Sequence, residues 1–179
     1  MEQVHIRPIT RDDTEKIVAW RNQDFVRENF IDQRPFTAEG HTAWLKGQVE
    51  TGHVAQFIIC LEDGVEIGSV YLRDIDRKAG TAEYGIFIGE KEALGRGFGT
   101  QAAKLALDYG FGTLHLTKIF LRLLEDNGRA QKSYEKAGFC RMDDRRETVF
   151  LEQGKRNVLF MEIERGAWEN AKHPGMEKT

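Results

Sequence analysis

Three glycines at alternate positions, Gly95, Gly97 and Gly99, stand between strand-forming residues (Tyr84 to Ile88) and an amphipathic helical pattern carried by Ala102, Leu105, Ala106 and Tyr109. Glycine lets the backbone turn sharply and leaves no Cβ between its N–H and a ligand. At the start of a helix, such N–H groups and the macrodipole form a site suited to phosphate or pyrophosphate. A glycine-rich connection without a ligand is the plainer alternative.

Two phosphate loops fit poorly. A P-loop needs Gly-Lys-Ser/Thr after its glycines, which this chain lacks. Gly97-Phe98-Gly99-Thr100-Gln101-Ala102 satisfies the dinucleotide fingerprint G-x-G-x-x-A, and Glu125 lies where a ribose-binding acid would follow. That fold, however, requires repeated βαβ units, and the segments before the glycines do not read that way.

The order of elements explains why. Val4 to Ile9 reads as a strand, and Thr10 with Asp13 three residues on is a capping box opening a helix through Ile17, Val18 and Trp20-Arg21-Asn22. A second helix is expected from Thr37 to Glu50, with Trp44 and Leu45 inward. Ala55 to Leu61, Glu66 to Leu72 and Thr81 to Ile88 then form a meander of three antiparallel strands over short links. After the glycines and their helix comes a continuous apolar strand, Lys118 to Leu124. Asn127 caps a helix that Gly138 ends. Two last strands, Phe139 to Leu151 and Arg156 to Ile163, are joined by Glu152-Gln153-Gly154. The tail from Trp168, with Pro174-Gly175, reads as polar and loose.

At 179 residues, with 40% hydrophobic and 31% charged residues, the chain suits one globular domain. A net charge of −3 argues against general nucleic-acid binding, Arg141, Arg145, Arg146, Lys155 and Arg156 reading as a solvated strand face. Cys60 and Cys140 read as reduced core residues. Neither a membrane span nor a signal peptide is evident, so a cytoplasmic location without membrane partners is expected. None of His5, His41, His53, His115 and His173 sits in a motif, and no metal is expected.

With both glycine-loop and Asn-capped segments in view, the chain resembles the GNAT superfamily of acyl-CoA-dependent N-acyltransferases. That family's pyrophosphate motif, Q/R-x-x-G-x-G/A after the fourth strand, is matched at Leu94-Gly95-Arg96-Gly97-Phe98-Gly99. Its second signature is an asparagine followed by a helix carrying alanine and tyrosine and closed by Gly-Phe. Asn127, Ala130, Tyr134, Gly138 and Phe139 match it. One departure is Leu94, where the family has Arg or Gln; Arg96 is the expected compensation.

The resemblance implies an α/β (α+β) GNAT-like single domain over 1–165, followed by a polar tail over 166–179. Its central sheet would be mixed and mostly antiparallel, with about seven strands, about four flanking helices, and strands 4 and 5 splayed. The co-substrate would be acetyl-CoA, bound by Ile86, Phe87, Ile88, Leu94, Gly95, Arg96, Gly97, Phe98, Gly99, Thr100, Asn127 and Ala130. Free backbone groups of Tyr84 to Ile88 would hold pantetheine, and an N–H near Ile88 would polarise the acyl carbonyl. Tyr134 corresponds to the general acid for the thiolate, or else is a core tyrosine. Glu83 is the candidate base, or a carboxylate that only binds the amine. Trp20 and Arg21 would stack on or fork onto an anionic acceptor, the alternative being a core tryptophan beside a surface arginine.

The acceptor implied is a small-molecule amine or a peptide N-terminus, as in amino-sugar nucleotide and ribosomal-protein N-terminal acetyltransferases. Polyamine acetyltransferases share the pattern and would need an acidic pocket built from Asp24, Glu28, Asp32 and Glu83. A non-catalytic acyl-CoA sensor on the same fold and a homodimeric assembly are also compatible with the chain.

Overall fold

A computed structural model describes residues 2–173. The strands are β1 (Val4–Pro8), β2 (Ala55–Leu61), β3 (Glu66–Asp76), β4 (Thr81–Ile88), β5 (Lys118–Leu124), β6 (Cys140–Leu151) and β7 (Gly154–Glu164). They form one sheet in the order β1-β2-β3-β4-β5-β7-β6. Every neighbouring pair is antiparallel except β4 and β5. The helices are α1 (Thr14–Asn22), α2 (Asp24–Arg27), α3 (Ala38–Trp44), α4 (Phe98–Asp108), α5 (Gly128–Ala137) and α6 (Arg165–Lys172).

The sheet separates two cores. On one face Phe57, Ile59, Val70, Leu72, Ala82 and Tyr84 pack against Phe98, Ala102, Ala106 and Leu107 of α4, with Tyr134 of α5 and Trp168 of α6 alongside. On the other, Ile58, Cys60 and Phe87 meet Ile17 and Trp20 of α1, Val26 of α2 and Leu45 just beyond α3. Alternation along a strand sends successive side chains to opposite faces, so β2, covered on both, is apolar throughout.

Local signals explain the boundaries. Thr10 and Asp13 form the capping box, which opens a single 3₁₀ turn that runs into α1. The Thr37 hydroxyl accepts from Gly40 N at the start of α3, whose last turn widens into a π-helical turn over Leu45–Val49. Asn127 accepts from Ala130 N at the start of α5, and Gly138 ends that helix with φ 109°.

Four expectations change. The short α2 carries no periodic signal over four residues, and α6 stands where the loose tail was expected. Trp168 of α6 donates to Asp108 Oδ1 at 2.8 Å and packs on Phe111, with ring centroids 5.4 Å apart. The described residues thus hold six α-helices where about four were expected; Pro174-Gly175 lies outside them. Cys140 is exposed, because it opens the outer edge strand, whereas Cys60 is buried. Finally, β3 runs four residues past its expected end, which brings Arg73 opposite Glu83.

Candidate active site

The β4–β5 pair is the structural origin of the site. These strands are paired only at Thr81, Ala82 and Glu83, opposite Lys118, Ile119 and Phe120. Beyond Glu83 they part, as the expected splay requires. Gly89 N donates to Ile67 O at 2.8 Å, which sets the phase of the β3–β4 ladder. In that phase the odd-numbered residues of β4 bond to β3. The N–H and C=O groups of Tyr84, Ile86 and Ile88 therefore turn into the fork with no strand to receive them.

A cleft of about 900 Å³ passes through this fork from one face of the sheet to the other. On the α4/α5 side it is lined by Leu94, Gly95, Gly97, Phe98, Gly99 and Thr100, together with Asn127 and Ala130. Gly97 caps α4 at φ 84°, and a Cβ there would meet nothing within 4 Å. The Thr100 and Ser133 hydroxyls bond at 2.9 Å and tie this loop to α5.

Arg96, expected to face the phosphates, does not line the cleft. Its guanidinium bonds Glu2 Oε2 at 2.6 Å and lies over the Phe98 ring. Its alternation with the glycines turns it away from them. The cations on this wall are Arg129, Lys132 and Lys136 of α5, none with an ion-pair partner among the described residues. Sequence reasoning passed over them, although their i, i+3, i+7 spacing marks one helix face.

Tyr134 lines the cleft beside the fork. Its ring meets those of Tyr84 and Phe139 edge-on, with centroids 5.8 and 6.1 Å apart. Burial, with the Tyr71 phenol adding to it, pushes the Tyr134 pKa up, so the hydroxyl keeps its proton through neutral pH. Burial raises Tyr84 as well, and its buried hydroxyl has no partner among the described residues.

On the opposite face Glu83, 5% exposed, sits at the crotch of the fork. Its Oε1 accepts from Arg73 Nη2 and from Arg122 Nε, both at 2.9 Å. Arg122 Nη2 lies 3.5 Å from Oε2. Burial alone would raise this carboxyl, but the hydrogen bonds and charges of the two arginines outweigh it and hold it below the usual 4.5. An acid so placed is a poor base for an ammonium group, since a general base works best with a pKa near the operating pH.

Trp20 is a core residue. It is 4% exposed, its Nε1 donates to Glu90 Oε1 at 2.7 Å, and it does not line the cleft. A Cβ on Gly89 would lie 2.2 Å from its ring, so Gly89 is required for this packing. Arg21, expected beside it at the acceptor, does line the cleft and is 6% exposed.

Of the acids expected to form a polycation pocket, two lie apart from the cleft: Asp24 pairs with Arg27 at the surface and Glu28 lines a separate small cavity. Asp32 lines the cleft with Glu83 and is bound by Arg34. His41 does line the cleft, its Nδ1 3.1 Å from the Thr14 hydroxyl. Among the described residues, no three His, Cys, Asp or Glu side chains are placed to hold a metal. No described helix is long and apolar enough to cross a membrane.

A split parallel pair, a glycine-capped helix and a tyrosine between them define an acyl-CoA-binding N-acyltransferase fold. The chain belongs to the GNAT family: the acetyltransferase (GNAT) domain model matches residues 3–140. It is 31% identical over 160 residues to the spermidine N(1)-acetyltransferase of Escherichia coli (strain K12), covering 88% of this chain and 84% of that one. Vibrio cholerae spermidine N-acetyltransferase in complex with CoA and spermine superposes with a TM-score of 0.86 at 25% identity. That match covers 94% of this chain and 99% of the other. A dodecameric structure of the Vibrio cholerae enzyme matches with a TM-score of 0.80, also at 25% identity, over 96% and 99% of the two chains. The protein is therefore an acetyl-CoA-dependent N-acetyltransferase.

Proposed function

We propose that the fork brings acetyl-CoA, entering past α4 and α5, against a small primary amine that enters between α1, α3 and β4. The observation that carries this reading is the opening of β4 from β5 beyond Glu83. It joins the two halves of the cleft and leaves the backbone groups of Tyr84, Ile86 and Ile88 free. When bound, acetyl-CoA supplies an acetyl group activated as a thioester. The loop from Leu94 to Thr100 and the α5 cations would receive its phosphates. The freed N–H groups of β4 would bond its amide chain and polarise the acetyl carbonyl.

Tyr134 would donate a proton to the departing sulfur. The apolar surroundings that raise its pKa raise that of a thiol in the same way, so the two stay matched. Glu83 would orient the amine through Oε2, its less occupied oxygen, rather than take its proton.

Of the acceptors the sequence allowed, the comparisons favour a polyamine over an amino-sugar nucleotide or a protein N-terminus. The position of Asp24 and Glu28 outside the cleft, and the engagement of Asp32 and Glu83 by arginines, favour a second reading, developed below.

Gly97→Val would force a β-branched residue to positive φ and place methyl groups in the phosphate path. Calorimetry should show CoA binding weakened roughly 10- to 100-fold, the loss of one or more charge-assisted hydrogen bonds. Release of free CoA from acetyl-CoA, with spermidine, lysine and other amines offered in turn, tests the reaction itself. Wild-type CoA affinity in the variant would place the phosphates elsewhere.

A further inference from the structure

Four buried side-chain polar atoms have no hydrogen-bond partner among the described residues: Arg21 Nη1, His41 Nε2, Arg73 Nε and Tyr84 Oη. All four residues line the one cleft. Buried polar groups are nearly always satisfied, so a cluster of exceptions in a single cavity points to a ligand with complementary atoms. Tyr84 stands on the thioester side. The other three stand on the acceptor side, where Arg73 Nε is 3.8 Å from Asp74 Oδ2 and so has a distant counter-charge.

Arg21 has none. Its guanidinium carbon lies 3.3 Å from the centroid of the Phe30 ring, 4.4 Å from Phe36 and 5.8 Å from Phe87. Three aromatic faces compensate part of the charge but accept no strong hydrogen bond at Nη1. Burial lowers its pKa to about 10, with the Tyr71 phenol and the Asp32 carboxylate opposing the shift. The Asp32 field reaches it, yet that carboxylate is engaged by Arg34 at 2.5 and 2.9 Å and is itself pulled down to about 2. Glu83 is likewise engaged by Arg73 and Arg122. Four arginines, Arg21, Arg34, Arg73 and Arg122, line the cleft with two committed carboxylates. Arg73 and Arg122 also reach Asp74 and Glu147, which leaves Arg21 as the one of the four without an ion pair among the described residues.

Donor and acceptor chemistry decides what fits. A guanidinium has only N–H donors. A polyamine at neutral pH is also all donors and all positive, so it cannot satisfy Nη1 and is repelled by the Arg21 charge. A carboxylate supplies acceptor lone pairs and the missing charge together, and its planar geometry suits the guanidinium fork. His41, whose pKa burial lowers, is a neutral second partner for a polar group nearby.

We propose that the acceptor is an amine that also carries an oxyanion, a carboxylate in the first instance, received by Arg21 in its cage of Phe30, Phe36 and Phe87. The inference rests on the acetyl-transfer reading and replaces the polyamine within it. Phe87, whose ring centroid is 5.8 Å from the Arg21 guanidinium, and Glu83 are four residues apart on β4. Arg21 and Glu83 line the same cleft, so a linear amino acid with an anion at one end and an amine at the other, such as lysine, is the natural probe.

Lysine is cadaverine with one added carboxylate, so the pair isolates the anion while keeping the amine. With saturating acetyl-CoA, kcat/KM for lysine should exceed that for cadaverine roughly 10- to 100-fold, the range for one hydrogen bond to a charged group. Arg21→Gln should collapse that preference, with CoA affinity serving as the control for folding. O-phosphoethanolamine separates the anions: if it outperforms lysine, the oxyanion is a phosphate and the proposal stands in that form. Cadaverine or spermidine turned over as well as both anionic amines would overturn it while leaving acetyl transfer intact. A readout free of turnover is calorimetry of the CoA-bound enzyme with Nε-acetyllysine against N-acetylcadaverine. Equal affinities overturn the anion site, whereas absent CoA binding would instead remove the acetyltransferase reading beneath it.

Discussion

Tyr134→Phe should lower kcat by roughly 10²-fold, a common contribution of a single general acid, while leaving the KM for acetyl-CoA almost unchanged. The substitution keeps the edge-on packing on Tyr84 and Phe139 and deletes only the hydroxyl. Because that hydroxyl reaches the cleft, its removal should leave the thermal midpoint near that of the wild type. The pH profile adds a second reading. Burial raises the Tyr134 pKa above its ordinary 10, so the proton needed for catalysis is present throughout the neutral and mildly alkaline range. Activity should therefore climb with pH as the acceptor ammonium deprotonates and show no descending limb from Tyr134 below about pH 10. A wild-type kcat in Tyr134→Phe, with chemistry shown to limit turnover, would make Tyr134 a packing residue. Attention would then pass to the unpartnered phenol of Tyr84 on the same wall.

The frame of this site is readable in the chain because its signals are local. The Thr10–Asp13 box, the Asn127 cap, the Gly138 terminator and the glycine loop each fall within a few residues, and each fixes a helix end. The meander follows from short links between β-rich runs, and β4 ends where expected. Such signals are enough to put Tyr134 and the glycine loop on one side of a splayed sheet.

What the chain does not reveal depends on register and on irregular segments. Arg73 and Arg122 meet Glu83 only because β3 continues past Leu72 and β5 pairs in a particular phase. That contact engages the Glu83 carboxylate, which no local pattern in the chain announces. The cage around Arg21 comes from Phe30 and Phe36, in a stretch without periodicity between α2 and α3. Trp20 and Arg21 are adjacent in sequence, yet a helix turns neighbours about 100° apart. One therefore enters the core and the other the cleft. α6 went unread because eight residues with a single large apolar side chain give no repeating pattern.

Glu83→Gln should destabilise the protein by roughly 2–3 kcal/mol. Removing one member of a buried ion cluster costs about 3–5 kcal/mol. Arg73 and Arg122, with side chains 33% and 27% exposed, recover part of that through water. For a domain of this size the loss lowers the thermal midpoint by roughly 4–12 °C. The dependence on acid identifies the cause. The Glu83 pKa is depressed in the folded state, so its contribution is present above the ordinary 4.5 and is lost as pH falls through the range below it. The variant should lose that part of the acid sensitivity and approach the wild type in stability at low pH. Its kcat/KM should fall mainly through a weaker acceptor KM, because an amine-orienting oxygen is gone while no proton relay has been removed. A variant as stable as the wild type, with kcat reduced 10²-fold or more and its ascending pH limb displaced, would show that Glu83 takes the proton. The two arginines would then have to release it when the acceptor binds.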